Sequence, residues 1–199
     1  MNGPGAGTVR YKKLTTVCIK LCILLSLLFV NFLDAAPIDT EYRLKAALIY
    51  KLTKFIEWPE LPTGQTLDTF GICLLGKDQF GDALDSLSKR SVKKIPIEIH
   101  RHTQSETVDS HCQIVYISSS KRGFIDIILQ SLRSRPILTL SDLDDFAEQG
   151  GILQFTTGKQ RIGFTINMES ARQAKLNMAA PLLDLATLID GPAVHNAIK

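Results

Sequence analysis

The chain has little of what usually announces chemistry. Its 199 residues include one tryptophan, four histidines and four cysteines. Gly76 and Gly81 stand too far apart for a Gly-x-Gly-x-x-Gly turn, and no phosphate-loop lysine motif occurs, so the common nucleotide fingerprints are missing. A Gly-x-Ser-x-Gly nucleophile elbow is also missing. Neither charge dominates. Of 23 basic residues, Arg10, Lys12, Lys13 and Lys20 fall in the first 35 positions, with Asp34 alone among the 20 acidic ones. The remainder carries 19 of each sign. A near-neutral domain lacks the electrostatic footprint of a nucleic-acid binder, and no nucleic-acid partner is expected. The longest apolar run, Leu21–Val30, is half the length of a comfortable membrane span, which needs about 20 residues.

What that run does fit is a leader. A basic stretch, ten apolar residues and the small pair Ala35–Ala36 make a secretory signal peptide. The expected organisation is a signal peptide over 1–35, one domain over 36–189 and a C-terminal tail over 190–199. Cleavage after Ala35 is preferred because a cut after Ala36 would set Pro37 against the scissile bond. Leu33 is large for its place before the cut, and an uncleaved inner-membrane anchor is the alternative reading. Both readings place the domain outside the cytoplasm. Cys18 and Cys22 leave with the leader, so Cys73 and Cys112 remain. An exported chain with two cysteines has one intramolecular pairing open to it, and the bond would close a loop of about 40 residues, worth about 4 kcal/mol in the chain-entropy model. Two separate buried thiols are the alternative.

Periodicity then orders the domain. Glu41–Trp58 repeats Leu44, Ala47/Leu48, Leu52 and Phe55/Ile56 at helical spacing, and Pro59 stops it. "FGICLLG" (70–76) and "CQIVYIS" (112–118) read as buried strands. "PIEIHRH" (96–102) alternates like a half-buried one, and "ILTL" (137–140) is short. Helices are expected over 78–90 and 123–133, and a turn of helix at "SDLDDFAEQGG". Ile152–Asn167 reads as a hairpin turning near Gly158–Lys159–Gln160. A last helix is expected over Glu169–Ile189, with Ala174, Met178, Leu182, Leu185 and Leu188 inward. Alternating strands and helices define an α/β fold, a three-layer sandwich with a mixed, mainly parallel sheet closed by an antiparallel hairpin plus helix.

Few residues invite chemistry. His100 and His102 share a strand face and need one more ligand to hold a metal; exposed strand-end histidines are the plainer reading, and no metal is expected. Asp142, Asp144 and Asp145 are too few oxygens for calcium, and a helix start favours acidic residues without one. The basic run "KRSVKK" reads as a solvated turn, and Gly150–Gly151 as a tight bend. A helix start near Asp78 could hold an anion, as in any α/β protein. No nucleophile–base pair and no cofactor motif emerge, so a non-enzymatic domain is expected. Phe55 and Ile56 continue the helix stripe into the core; Trp58 is left open between capping the core and meeting a partner or ligand.

Several segments together carry a resemblance. "KAALIYKLTKFIEWP" (45–59), "FGICLLGKDQFGDAL" (70–84), "CQIVYISSS" (112–120), "ILTLSDLDDFAEQGGILQF" (137–155), "RIGFTIN" (161–167) and "AKLNMAAPLLDLA" (174–186) resemble the YfiR family of periplasmic proteins from Gram-negative bacteria. The likeness spans the whole domain in order and stops at the tail. It implies an α/β fold, a dimer and a regulatory role: repression of a membrane-bound diguanylate cyclase through its periplasmic sensor region, and with it control of cyclic di-GMP and biofilm growth. It matches Cys73 and Cys112 to the family's core disulfide. The family's second cysteine pair falls on Ala147 and Gln154, so a redox switch there is not expected. Members stand beside different signalling proteins, so the partner need not be a cyclase. A small-molecule-sensing or solute-binding domain coupled to another membrane sensor, such as a histidine kinase, is the second reading. With no catalytic set, the signal must leave through a surface. The candidate partner contacts are Leu153 and Phe155 on one strand, Phe164 and Thr165 on the next, and Trp58.

Overall fold

A computed structural model describes residues 37–60, 66–103, 108, 111–158 and 162–191. The leader, most of the hairpin turn and the tail from Pro192 lie outside the described residues, as do the expectations placed on them. The elements from Asp39 onward belong to one compact unit.

Helix α1 (Pro37–Leu52) packs through Tyr42, Ala46, Ile49 and Leu52. It ends earlier than the periodicity predicts. The Thr53 hydroxyl donates to the Tyr50 carbonyl at 2.7 Å, and Lys54 and Phe55 close tight turns onto Lys51 and Leu52. Such side-chain competition for a backbone acceptor favours a helix end. Ile56 then enters a two-residue strand, β1 (Ile56–Glu57), paired antiparallel with β9 (Asn177–Met178). The stripe expectation fails at three places: Leu44, Ala47 and Phe55 are exposed, whereas Ile56 is buried.

The main sheet is built from β2 (Phe70–Leu75), β3 (Ser91–Val92), β4 (Ile95–His102), β5 (Cys112–Ile117), β6 (Leu138–Ser141), β7 (Leu153–Thr157), β8 (Ile162–Asn167) and β10 (Thr187–Ile189). Its order is β10-β8-β7-β6-β5-β2-β4-β3. Only the β7–β8 and β3–β4 pairs are antiparallel, so the sheet is mixed and mainly parallel, as the alternation of elements implies. β2 and β5 are buried along their whole length, as their largely apolar runs predict, with Gln113 the one polar side chain buried in them. "KRSVKK" makes the tight β3–β4 turn, with Lys93 and Lys94 both at positive φ (49° and 73°). Adjacent left-handed residues give the turn type that matches strand twist.

One sheet face carries Ile72, Leu74, Ile114, Tyr116, Leu138, Leu140, Leu153 and Phe155 against α1 and the short α2 (Asp82–Asp85). The other carries Cys73, Leu75, Val115 and Ile117 against α3 (Ile125–Leu132) and Leu143–Phe146. Helices on both faces make the three layers.

The predicted helix over 169–189 does not form as one piece. It resolves into α4 (Met168–Gln173), β9, α5 (Ala180–Leu183) and β10. Lys175 takes φ 56°, which stops α4, and Pro181 is accepted only at the start of α5, where its missing N–H costs nothing. Ala174, Met178 and Leu182 are buried as expected, but Leu185 and Leu188 are exposed because their segment turns out to the sheet edge. The hairpin is therefore not the edge; β10 lies outside it, parallel to β8. The 78–90 helix is likewise a short α2 continued by a 3₁₀ turn, Ser86–Lys89.

Candidate functional site

Four places on this scaffold could carry a signal, and the predicted site residues fall among them.

The first is the disulfide. Parallel pairing of β2 with β5 brings Gly71 opposite Cys112, and a bulge follows at Gly71/Ile72. The close approach of the chains there requires a glycine: a Cβ on Gly71 would lie 2.0 Å from the His111 carbonyl oxygen. Cys73 and Cys112 are bonded, with Cα atoms 5.8 Å apart, inside the usual span. On β4, His100 stands opposite Cys73 and His102 opposite Leu75. The two histidines are not the exposed strand-end pair that the sequence implies. They are half-buried and their rings stack at 6.4 Å.

The second is a buried polar cluster that sequence reasoning missed. Lys45 is 1% exposed, and its ammonium lies 2.6 Å from both the Asp142 and Glu41 carboxylates. Tyr42 hydroxyl oxygen lies 2.8 Å from Asp142 and 2.7 Å from Gln79. Burial pushes the Asp142 carboxyl up, but hydrogen bonds from Lys45 and then Tyr42 more than offset this and hold it below the usual carboxylate range. Burial, then the Asp142 charge, pushes the neighbouring Tyr116 hydroxyl up. Spacing gives no warning of this site, since Lys45 reads as one more polar helix residue. Asp144 and Asp145 are exposed, so the "SDLDD" acids do not converge.

The third is the bend at Gly150–Gly151. Gly150 sits at φ 101°, and a Cβ on Gly151 would come within 2.2 Å of the Phe146 ring. Polar side chains from the sheet tie the bend down. The Gln154 side-chain oxygen accepts from the Ala147 N–H at 3.1 Å. Asn167, fully buried, donates to the Ala147 carbonyl at 2.7 Å, and its other atom caps α4 through Ser170 N–H. Ala147 and Gln154 are thus joined by a hydrogen bond where the resemblance places a cysteine pair. A cavity of about 410 Å³ lies beside the bend, lined by Leu129, Leu132, Arg133, Ile137, Ile152 and Glu169 among others.

The fourth is the β8–β10 edge. Antiparallel register sets Leu153 opposite Ile166 and Phe155 opposite Phe164. Directly opposed residues share a face, so both apolar sets lie on the α1 side and Thr165 points to the other. The five candidate contacts therefore do not form one patch. Leu153 and Phe155 are buried, at 0% and 2% exposure; Phe164 and Thr165 are half-buried beside β10. Trp58 is also half-buried. It meets Phe70 edge-to-face at 5.1 Å and donates to the Gln113 carbonyl at 3.2 Å, away from that edge on the β1 side. Leu185 is 76% exposed and Leu188 48%, the apolar residues that the misread helix had hidden.

Among the described residues, this disulfide-closed α/β sandwich ends at β10, which has a strand neighbour on one side only. The chain belongs to the YfiR/HmsC-like family, whose model matches residues 42–187. This is a family of periplasmic regulators. Among solved structures, a conserved domain protein from Vibrio cholerae O1 biovar El Tor shares 12% identity with a TM-score of 0.49, over 78% of this chain and 60% of that one. The chain thus spans about three-fifths of that protein's length. Among the described residues, no helix is long and apolar enough to cross a membrane.

Proposed function

We propose that this chain is a periplasmic regulatory binding protein, exported by its leader, that represses or tunes an inner-membrane signalling protein by holding its periplasmic sensor region. A diguanylate cyclase is the favoured partner, which makes cyclic di-GMP and biofilm formation the outputs. The observation that carries the reading is the β10 edge, unpaired on its outer side among the described residues, with the exposed Leu185 and Leu188, on a chain of the YfiR/HmsC-like family. Edge strands present unpaired backbone groups that another chain can use, and natural proteins normally blunt them. The half-buried Phe164 and Thr165 extend the same edge inward, while Trp58 is a separate contact. Leu153 and Phe155 support the surface from beneath. The chain is also expected to form a homodimer.

Co-purification from membranes tests this. The tagged chain should recover a membrane protein with a periplasmic sensor region, and Leu188→Glu or Thr165→Arg should lose it with the melting temperature within a few degrees of wild type. Recovery unchanged in both variants would remove the edge from the proposal.

A second reading, a small-molecule-sensing domain, draws on the cavity beside the Gly150–Gly151 bend. Its volume of about 410 Å³ falls within the usual range for ligand pockets. A thermal shift with one metabolite, in the absence of any protein partner, would favour it.

A further inference from the structure

The environment of the disulfide contains more than a structural bond needs. Ligand atoms of Cys73, Cys112 and His102 all lie within 4.8 Å of one another. The Nε2 atoms of His100 and His102 are both buried and lack a hydrogen-bond partner among the described residues. The nearest acid to His100 is Glu98, at 3.6 Å, too long for a hydrogen bond. Buried polar atoms are nearly always satisfied, so two orphaned imidazole nitrogens on one strand face call for an explanation. They stand on the sheet face that carries both sulfurs, because the β2–β4 register places Cys73 beside His100 and Leu75 beside His102.

We propose that, once the disulfide is reduced, Cys73, Cys112 and His102 form a metal site for a thiophilic divalent cation such as Zn²⁺. Two thiolates and an imidazole are a standard donor set for zinc, which takes four ligands in tetrahedral array. His100, stacked on His102, or a water takes the fourth position. In a tetrahedral site with zinc–sulfur bonds of about 2.3 Å the two sulfurs end roughly 3.8 Å apart. The Cα separation of 5.8 Å allows that by rotation of the side chains. The oxidised bond and the metal are mutually exclusive, since the same two sulfurs serve both. The reductant is a dithiol. Its thiolate attacks one sulfur, its second thiol resolves the mixed disulfide, and it leaves as a cyclic disulfide while each cysteine ends as a thiol. The cation then displaces the two thiol protons to solvent. Both cysteines are buried, at 0% and 2% exposure, so reduction waits on local opening. The device would convert a change in redox state or zinc supply into a change in how β4 is held against β2.

The test uses the full chain, reduced with dithiothreitol in denaturant, refolded and desalted under argon, and titrated with Co²⁺ and Zn²⁺. The expected result is one equivalent of Co²⁺ with a thiolate-to-cobalt charge-transfer band, bleached by Zn²⁺, and no band in the oxidised protein. His102→Ala should weaken binding by at least roughly tenfold, since even an outer-shell partner is worth that much. His111→Ala, next to Cys112 but exposed, should bind like wild type. A reduced chain that refolds only when Zn²⁺ is added also supports the site. The proposal is overturned if the reduced, folded protein shows no charge-transfer band. It is also overturned if His102→Ala binds as tightly as wild type, or if the reduced chain fails to refold with and without Zn²⁺.

Discussion

Single residues decide how the two layers are fastened to the sheet, and two of them give sharp tests. Asn167 is fully buried and serves both the bend and the start of α4. Asn167→Ala leaves the Ala147 carbonyl and the Ser170 N–H without it, and unfolding in urea should show a loss of about 1–3 kcal/mol. The Lys45–Asp142 pair joins α1 to the end of β6. Lys45→Met strands a carboxylate that is 14% exposed, and breaking a buried pair from one side costs about 3–5 kcal/mol. Asp142→Leu added to Lys45→Met should restore much of that loss. The same pair sets an acid limit. The Asp142 carboxyl titrates lower in the folded chain than in the unfolded one, where an aspartate has its ordinary value near 4. Its contribution is therefore complete above that value and disappears as pH falls through the lower, folded one. Thermal melts of wild type from pH 7 downward should fall in that window, while the Lys45→Met/Asp142→Leu variant falls less. None of this was legible beforehand. A lysine on a helix and an aspartate at a strand end, about a hundred positions apart, leave no periodic trace. The Cys73–Cys112 pairing was legible, because reading residues 1–35 as a leader left two cysteines in buried runs.

At the scale of elements, the sequence was most informative where one physical signal dominates. The largely apolar β2 and β5 came through nearly intact because burial on both faces leaves little choice of structure. The C-terminal segment was misread because its apolar residues repeat at helical spacing while Pro181 and the left-handed Lys175 divide it. That error matters for function, since the divided segment supplies the edge strand. Leu153→Glu is expected to unfold the protein, because it places a charge in the core beneath that edge. Leu188→Glu, on an exposed position, should leave the melting temperature within a few degrees. Circular dichroism melts of the two variants side by side check whether the α1-side face of the hairpin is core and β10 is surface. The hairpin alternation alone could not show this, because register, not spacing, puts Phe155 and Phe164 on one face.

The molecule as a whole is a disulfide-closed α/β domain of the YfiR/HmsC-like family, proposed to regulate through its β8–β10 edge. Opening the disulfide should cost about 2–5 kcal/mol, read as a shift in the urea midpoint of Cys73→Ala/Cys112→Ala. That loss would concern stability only. Partner capture should survive it at temperatures where the variant is folded, because the bond lies across β2 and β5, away from the edge. The direct test of the central claim is cross-linking in cells. A photoreactive residue is placed at Leu188, and at Asp126 on the opposite layer as a control, and the cross-linked species are identified by mass spectrometry. The probe at Leu188 should capture the periplasmic region of a membrane signalling protein, with Asp126 silent. Capture of that protein from Asp126 and not from Leu188 would contradict it.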